Sequence, residues 1–293
     1  FGGTAASVNA WRSTVVVDFG VDYCTGTLLT ERIVLTAAHC LRLEPPLSLI
    51  QVKLGTSRVN PELTLSVESY KRHPQFCDEL TGCDAGYYDF AYVYLQEPAP
   101  ADAVNAKSLI DQHTFDALIY EGAPITIVGF GADEDLHEGV KREVETYITH
   151  VSNGALEISA GGDGTGGCQG DGGAPAYAPL PDGSDVLVGV ASRGTGCGEL
   201  EVYGLVPPAM CWIGSEFDMV WQAADELCDG ACGCLDSESS DSGCSVAGAS
   251  EGSWLWLSIV AFVTRTGRRR RQYRTRAPAR SSVVVNGRGR DDY

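Results

Sequence analysis

Gly167-Cys168-Gln169-Gly170-Asp171-Gly172-Gly173-Ala174-Pro175 is the stretch on which the reading of this chain turns. Gly170 and Gly172 each offer a backbone N–H donor and no side chain. Ala174 is chemically inert, and Asp171 is the one carboxylate. The loop therefore supplies hydrogen-bond donors and a charge but no hydroxyl.

Around that loop lie 293 residues, enough for one large or two ordinary domains with a sizeable core. Glycine is abundant at 35 residues and charged side chains make up 20 % of the chain, a balance that favours strands and turns. The net charge of −18 hides an asymmetry. Residues 1–264 carry 11 basic against 37 acidic side chains, and ten of the 21 Lys/Arg follow from Arg265 onward. An acidic body of that kind repels phosphate, so nucleic acid is excluded as a partner. Eleven cysteines point to disulfides formed in an oxidising compartment, and the odd count leaves one thiol over. The chain opens at Phe1 without a signal peptide, which reads as a fragment or a processed end.

Short β-rich runs separated by turns fill the first half. They are residues 14–19, 24–29, 32–37, 51–55, 63–67 and 88–95, rich in β-branched residues. The run at 32–37 leads into Thr36-Ala37-Ala38-His39-Cys40. A linker of Ala, Pro and Asp spans 97–106. The second half continues with residues 123–131, 141–148, 186–194 and 201–206, and residues 216–228 are apolar at helical spacing. Cys77 and Cys83 flank the acidic insertion 78–82, where a local disulfide is preferred to a metal site for want of convergent ligands.

These motifs resemble the trypsin/chymotrypsin-like serine proteases over about residues 1–227. Thr36-Ala37-Ala38-His39-Cys40 matches that family's catalytic-histidine motif, and Tyr88-Asp89-Phe90-Ala91 resembles the stretch carrying its buried acid. The order His39, Asp89, nucleophile loop is the chymotrypsin order. The resemblance implies an all-β fold of two six-stranded antiparallel barrels with a C-terminal helix and a site in the cleft between the barrels. It implies disulfides Cys24–Cys40 and Cys168–Cys197. It implies His39 as general base, Asp89 as its orienting acid, and an oxyanion hole from the N–H groups of Gly170 and Gly172. No metal or other cofactor is expected.

The departures are as informative as the matches. Gly172 stands where the family has its nucleophilic serine, and no side chain at Gly173 or Ala174 replaces the hydroxyl. The resemblance makes Gly166, Ser192, Arg193, Gly194 and Glu201 the substrate-binding positions. Gly166 stands where trypsins hold an aspartate, and Arg193 where a tryptophan is usual. Glu201 takes the place of a wall glycine, either to pair with a basic side chain or to plug the pocket. Phe1-Gly2-Gly3 resembles the processed N-terminus, whose α-ammonium pairs in the family with the acid here at Asp171. Starting at Phe1, the chain falls one residue, roughly 3.5 Å, short of that partner. Either a residue precedes Phe1 or this switch does not operate.

Beyond the helix the composition changes. Cys244 sits in Gly243-Cys244-Ser245, an apolar run spans 254–263, and Arg268 to Arg271 follow. This resembles the C-terminal surface-sorting signal of myxobacterial secreted proteins, the MYXO-CTERM type, in which the cysteine is retained for lipidation. Ten apolar residues are fewer than the roughly 20 that span a bilayer, so a stop-transfer anchor and a solvated basic tail stay open. The expected organisation is a protease-like domain at 1–228, a Cys/Ser/acidic linker at 229–253, an apolar segment with its Arg cluster at 254–271, and a basic tail at 272–293. Cys211, Cys228, Cys232 and Cys234 form bridges of unspecified pairing. Three functions follow: a disabled homologue that binds a peptide or protein, a working extracellular endopeptidase, or a surface protein using only its exterior. In each case the chain is a monomer displayed outside the cell.

Overall fold

A computed structural model of the chain describes residues 1–77, 87–105, 107–108, 111–152, 156–219 and 221. After the short β1 (Thr4–Ala5), six strands form the first barrel: β2 (Thr14–Asp18), β3 (Tyr23–Leu28), β4 (Ile33–Thr36), β5 (Gln51–Leu54), β6 (Leu63–Arg72) and β7 (Ala91–Leu95). They close in the order β2-β3-β4-β7-β6-β5, all antiparallel. The valine run explains why β2 is buried on both faces. Val15 and Val17 enter the barrel core, while Val16 packs on Tyr23 and Phe130 of the second half. In contrast, β6 alternates, with Leu65 and Val67 inside and Thr64, Ser66 and Glu68 in solvent.

The second half contains β8 (Lys107–Ser108), α1 (Gln112–Leu118), β9 (Pro124–Gly129), β10 (Arg142–Val151), β11 (Glu157–Gly161), β12 (Pro175–Pro179), β13 (Asp185–Gly194), β14 (Leu200–Leu205) and α2 (Pro207–Phe217). Strands β9-β10-β11-β14-β13-β12 close into a second antiparallel barrel; β1 is added to β10, and β8 lies parallel to β13. Its core gathers Ile125, Ile127, Ile148, Ile158, Val188, Val190, Tyr203 and Leu205. This is the two-barrel architecture the resemblance implies.

The C-terminal helix, α2, begins at Pro207. Pro207 and Pro208 occupy its first turn, where a missing N–H costs nothing. It ends at Phe217 because Asp218 adopts a left-handed conformation, φ 50°. Of the expected helix 216–228, residues 220 and 222–228 lie outside the described residues. Trp212 of α2 stacks against His73 and Tyr92, and Phe217 against Tyr92 and Tyr94. The helix following the second barrel is thus seated on the first. Among the described residues, no helix is long and apolar enough to cross a membrane.

Lys141, just before β10, is an anomaly of this core. It is 1 % exposed, its Nζ donates to Trp11 O at 2.9 Å, and it makes no ion pair among the described residues. Burial pushes its pKa down to about 8. Holding the ammonium there at pH 7 costs about 3 kcal/mol relative to water. Replacing it by Met removes that cost and loses one hydrogen bond of about 1 kcal/mol. Lys141→Met is therefore expected to raise Tm by several degrees at pH 7. Native-chain stability should itself rise between pH 8 and 10.5, where only the unfolded amine keeps its proton. Thermal melts at both pH values check this; a lower Tm for the variant contradicts it.

Candidate active site

The histidine is placed by a 3₁₀ turn, Ala38–Leu41, that leaves β4. Ala37 and Ala38 are completely buried beneath it, which leaves no room there for larger side chains. The Cys24–Cys40 disulfide ties the turn to β3. Asp89 lies in the turn before β7 rather than in the strand, and only 5 % of it is exposed. Its Oδ1 accepts from the His39 backbone N–H at 2.8 Å, and its Oδ2 pairs with His39 Nδ1 at 2.7 Å. These two contacts fix both position and tautomer: Nδ1 carries the proton and Nε2 presents a lone pair. Ser192 Oγ, from the second barrel, donates to the same Oδ2 at 2.7 Å. A bulge in the β13–β14 pairing between Ala191 and Arg193 accompanies this inward turn of Ser192.

The glycine-rich loop is pinned from several sides. Thr25 N–H donates to Gly172 O at 2.9 Å, Gly173 N–H to Ala191 O at 2.8 Å, and Thr25 Oγ1 to Gly170 O at 2.9 Å. The Cys168–Cys197 disulfide anchors its start. Asp171 is buried within it, accepting from Gly131 N–H at 2.7 Å and Cys168 N–H at 3.0 Å. Burial raises its pKa against these donors. Gly129 and Gly131 have no alternative here, since a Cβ on either would strike the Asp171 carboxylate. Among the described residues, none accepts from the N–H of Gly170 or Gly172, so both donors remain available to a ligand oxygen.

Gly172 itself has an ordinary backbone conformation, so a side chain there is not barred by φ. The space is taken by the histidine. A Cβ built at Gly172 would lie 2.6 Å from His39 Nε2 and 3.4 Å from Cys24 Sγ. The imidazole thus stands nearly 1 Å inside an ordinary contact distance of about 3.5 Å. Among the described residues, the polar contact of Nε2 is with Cys40 Sγ, at 3.7 Å. Cys24, His39 and Cys40 converge closely enough to suggest a metal, but the two sulfurs are bonded to each other and cannot both serve as ligands.

The Phe1 ammonium stops short of Asp171. The Phe1 ammonium donates to Gly166 O at 2.8 Å and not to Asp171, whose described hydrogen bonds come from backbone N–H groups. A cavity of about 20 Å³, room for about one water-sized group, lies between Phe1 and Asp171.

Gly166, at φ +148°, exchanges backbone hydrogen bonds with Phe1. Beside it, the Glu201 carboxylate packs against Gly167, where a Cβ would collide with it, and accepts from Tyr203 Oη. Desolvation pushes the Glu201 pKa up to about 7. Gly194 faces Glu201 across β13 and β14. Arg193 turns toward Glu157 and makes two bonds of 2.8 Å. The structure therefore brings together His39, Asp89, Ser192 and Gly172, and, separately, Gly194 and Glu201 beside Gly167. Tyr203 and Glu157 were missed because their partners are fixed by strand register. Cys83 and Cys244 lie outside the described residues, as do Cys228, Cys232 and Cys234; Cys211 is buried on α2.

The comparisons with known proteins agree with this geometry. Residues 1–213 match the family model described as Trypsin. Trypsin 5G1 of Aedes aegypti is 30 % identical over 210 residues, covering 65 % of this chain and 74 % of its own. Chymotrypsin-like elastase family member 1 of Bos taurus is 27 % identical over 65 % of this chain and 77 % of its own. Glucanase inhibitor protein 1 of Phytophthora infestans is 28 % identical over 73 % and 84 %.

Proposed function

Because the chain belongs to the trypsin family of serine proteases, we propose that it is a catalytically disabled member that captures a peptide or protein segment in its cleft. The observation that carries this reading is Gly172: the position of the attacking hydroxyl holds no side-chain atom, and the imidazole has moved into its space. In a serine protease the hydroxyl forms the acyl intermediate, and His and Asp serve only to activate it. What persists here is a binding apparatus with an oriented imidazole and two free N–H donors. A relative of similar coverage is named as an inhibitor, so this fold occurs in a protein named for binding.

The segment bound carries a basic side chain. Glu201 is a partly buried carboxylate with no cationic partner among the described residues, and its pKa of about 7 reflects that desolvation. An arginine or lysine reaching it takes up the charge, so affinity rises with pH through 7 as the carboxylate ionises. Glu201→Gln is expected to weaken an Arg-containing peptide by about 30-fold, near 2 kcal/mol, while leaving a Phe-containing peptide unchanged. Calorimetric titration of both peptides decides this. Equal weak binding of the two by the natural chain sinks the assignment of Glu201.

The acidic body, the disulfides and the sequence around Cys244 support a module that works outside the cell, as a monomer held at the envelope. Surface labelling of intact cells, lost on Cys244→Ser, tests the address. A working endopeptidase is the alternative that the intact His39–Asp89 pair favours, and it requires covalent labelling by a serine-directed probe.

A further inference from the structure

We propose that His39 is itself a nucleophile toward activated acyl groups, namely aryl esters and thioesters. The inference rests on the reading of Gly172 given above and goes beyond it. In a complete triad the imidazole passes a proton and the hydroxyl attacks. Here Nε2 stands 2.6 Å from the Cβ position of that missing residue, has no oxygen or nitrogen partner among the described residues, and belongs to a ring 30 % exposed to solvent. Asp89 holds the proton on Nδ1 through a 2.7 Å contact, which keeps the Nε2 lone pair directed into the cleft. The N–H groups of Gly170 and Gly172, in the same loop, have no acceptor among the described residues. Histidine is an established covalent catalyst in such settings.

The chemistry balances as follows. The Nε2 lone pair adds to the acyl carbon, and the carbonyl electrons move onto oxygen, where the two glycine N–H groups stabilise the charge. Collapse expels the aryloxide or thiolate and leaves an acyl-imidazolium whose Nδ1 proton is shared with Asp89. Water then adds to the acyl carbon and Nε2 departs with its lone pair. A proton released by the added water passes through solvent to the aryloxide or thiolate, so the net result is aryl ester plus water to acid plus phenol, or thioester plus water to acid plus thiol. A peptide amide does not follow this route. Its amine leaves less readily than imidazole, so the tetrahedral adduct reverts. The same site is therefore inert to peptides and reactive to activated esters.

The test uses the full chain with p-nitrophenyl acetate. The natural chain should release a burst of about one p-nitrophenolate per molecule, with the acetyl group on His39 by peptide mass spectrometry. Gly172→Ala keeps every titratable group, but its methyl pushes Nε2 away. Because displacements of this size degrade nucleophilic geometry, it should slow the burst about tenfold or more. His39→Ala should abolish it. The inference is overturned if His39→Ala retains the burst, if the acetyl group lies on another residue, or if Gly172→Ala reacts at the natural rate. A natural chain that neither cleaves peptides nor shows a burst also overturns it, and leaves the disabled-protease reading intact. Peptide cleavage by the natural chain overturns that reading instead.

Discussion

Gly172→Ser is expected to turn a chain that leaves peptides intact into one that hydrolyses them, with a gain of roughly 10³-fold or more. Loss of the nucleophile from an assembled triad costs on the order of 10⁶ in rate, so full restoration is the upper bound. Three observations set the expectation. The backbone at residue 172 is compatible with any L-residue, the loop is held by hydrogen bonds that do not involve a side chain at 172, and His39 is already oriented by Asp89. One observation limits it: the new Cβ would lie 2.6 Å from Nε2, so the ring must withdraw. That withdrawal is opposed by the Asp89 contacts at 2.7 and 2.8 Å. The restored enzyme should therefore fall short of full activity. Gly173 offers no second route, since φ is +81° and a Cβ there would meet Thr25 O at 2.3 Å. Gly173→Ser should destabilise the loop without producing hydrolysis. Progress curves on an Arg-containing peptide amide measure both variants. An inert Gly172→Ser chain that still binds peptide would mean that more than the nucleophile has been lost.

Acidification from pH 7 to 4 is expected to remove about 3 kcal/mol of stability through one residue, His73. It is 7 % exposed, stacked on Tyr88 with centroids 4.9 Å apart, and edged by Phe90 and Trp212. Burial lowers its pKa to about 4 from an ordinary 6.5. The unfolded chain therefore binds a proton below pH 6.5 that the folded chain refuses until near pH 4. Stability falls through that window and levels off below it. Denaturant unfolding at pH 7, 5.5 and 4 measures the loss. A His73→Gln variant should show a shallower slope over the same range; an identical slope in both chains contradicts the assignment.

Much of the site is legible in the sequence because its elements are local. Thr36 to Cys40 encodes a turn whose small residues must be buried and whose cysteine must reach Cys24; the structure shows both. The β-branched runs mark the barrel strands for the same reason: Val15 to Val17 can be satisfied only when both faces are covered. What escapes a linear reading depends on register between distant strands. Ser192 meets Asp89 because a bulge lies beside it, and Arg193 meets Glu157 across 36 residues. Tyr203 and Lys141 acquire their roles only once the second barrel closes around them. The start of α2 is hard to see in sequence because two prolines, which interrupt most helices, here occupy its first turn.

The central claim is that this cleft holds no nucleophilic hydroxyl, and a fluorophosphonate probe tests it directly. Such probes phosphonylate an activated serine stoichiometrically and ignore a glycine. The natural chain should remain unlabelled at saturating probe, while Gly172→Ser takes up one equivalent at Ser and loses it when His39 is replaced by Ala. One equivalent of label on a serine or threonine of the natural chain would contradict the account.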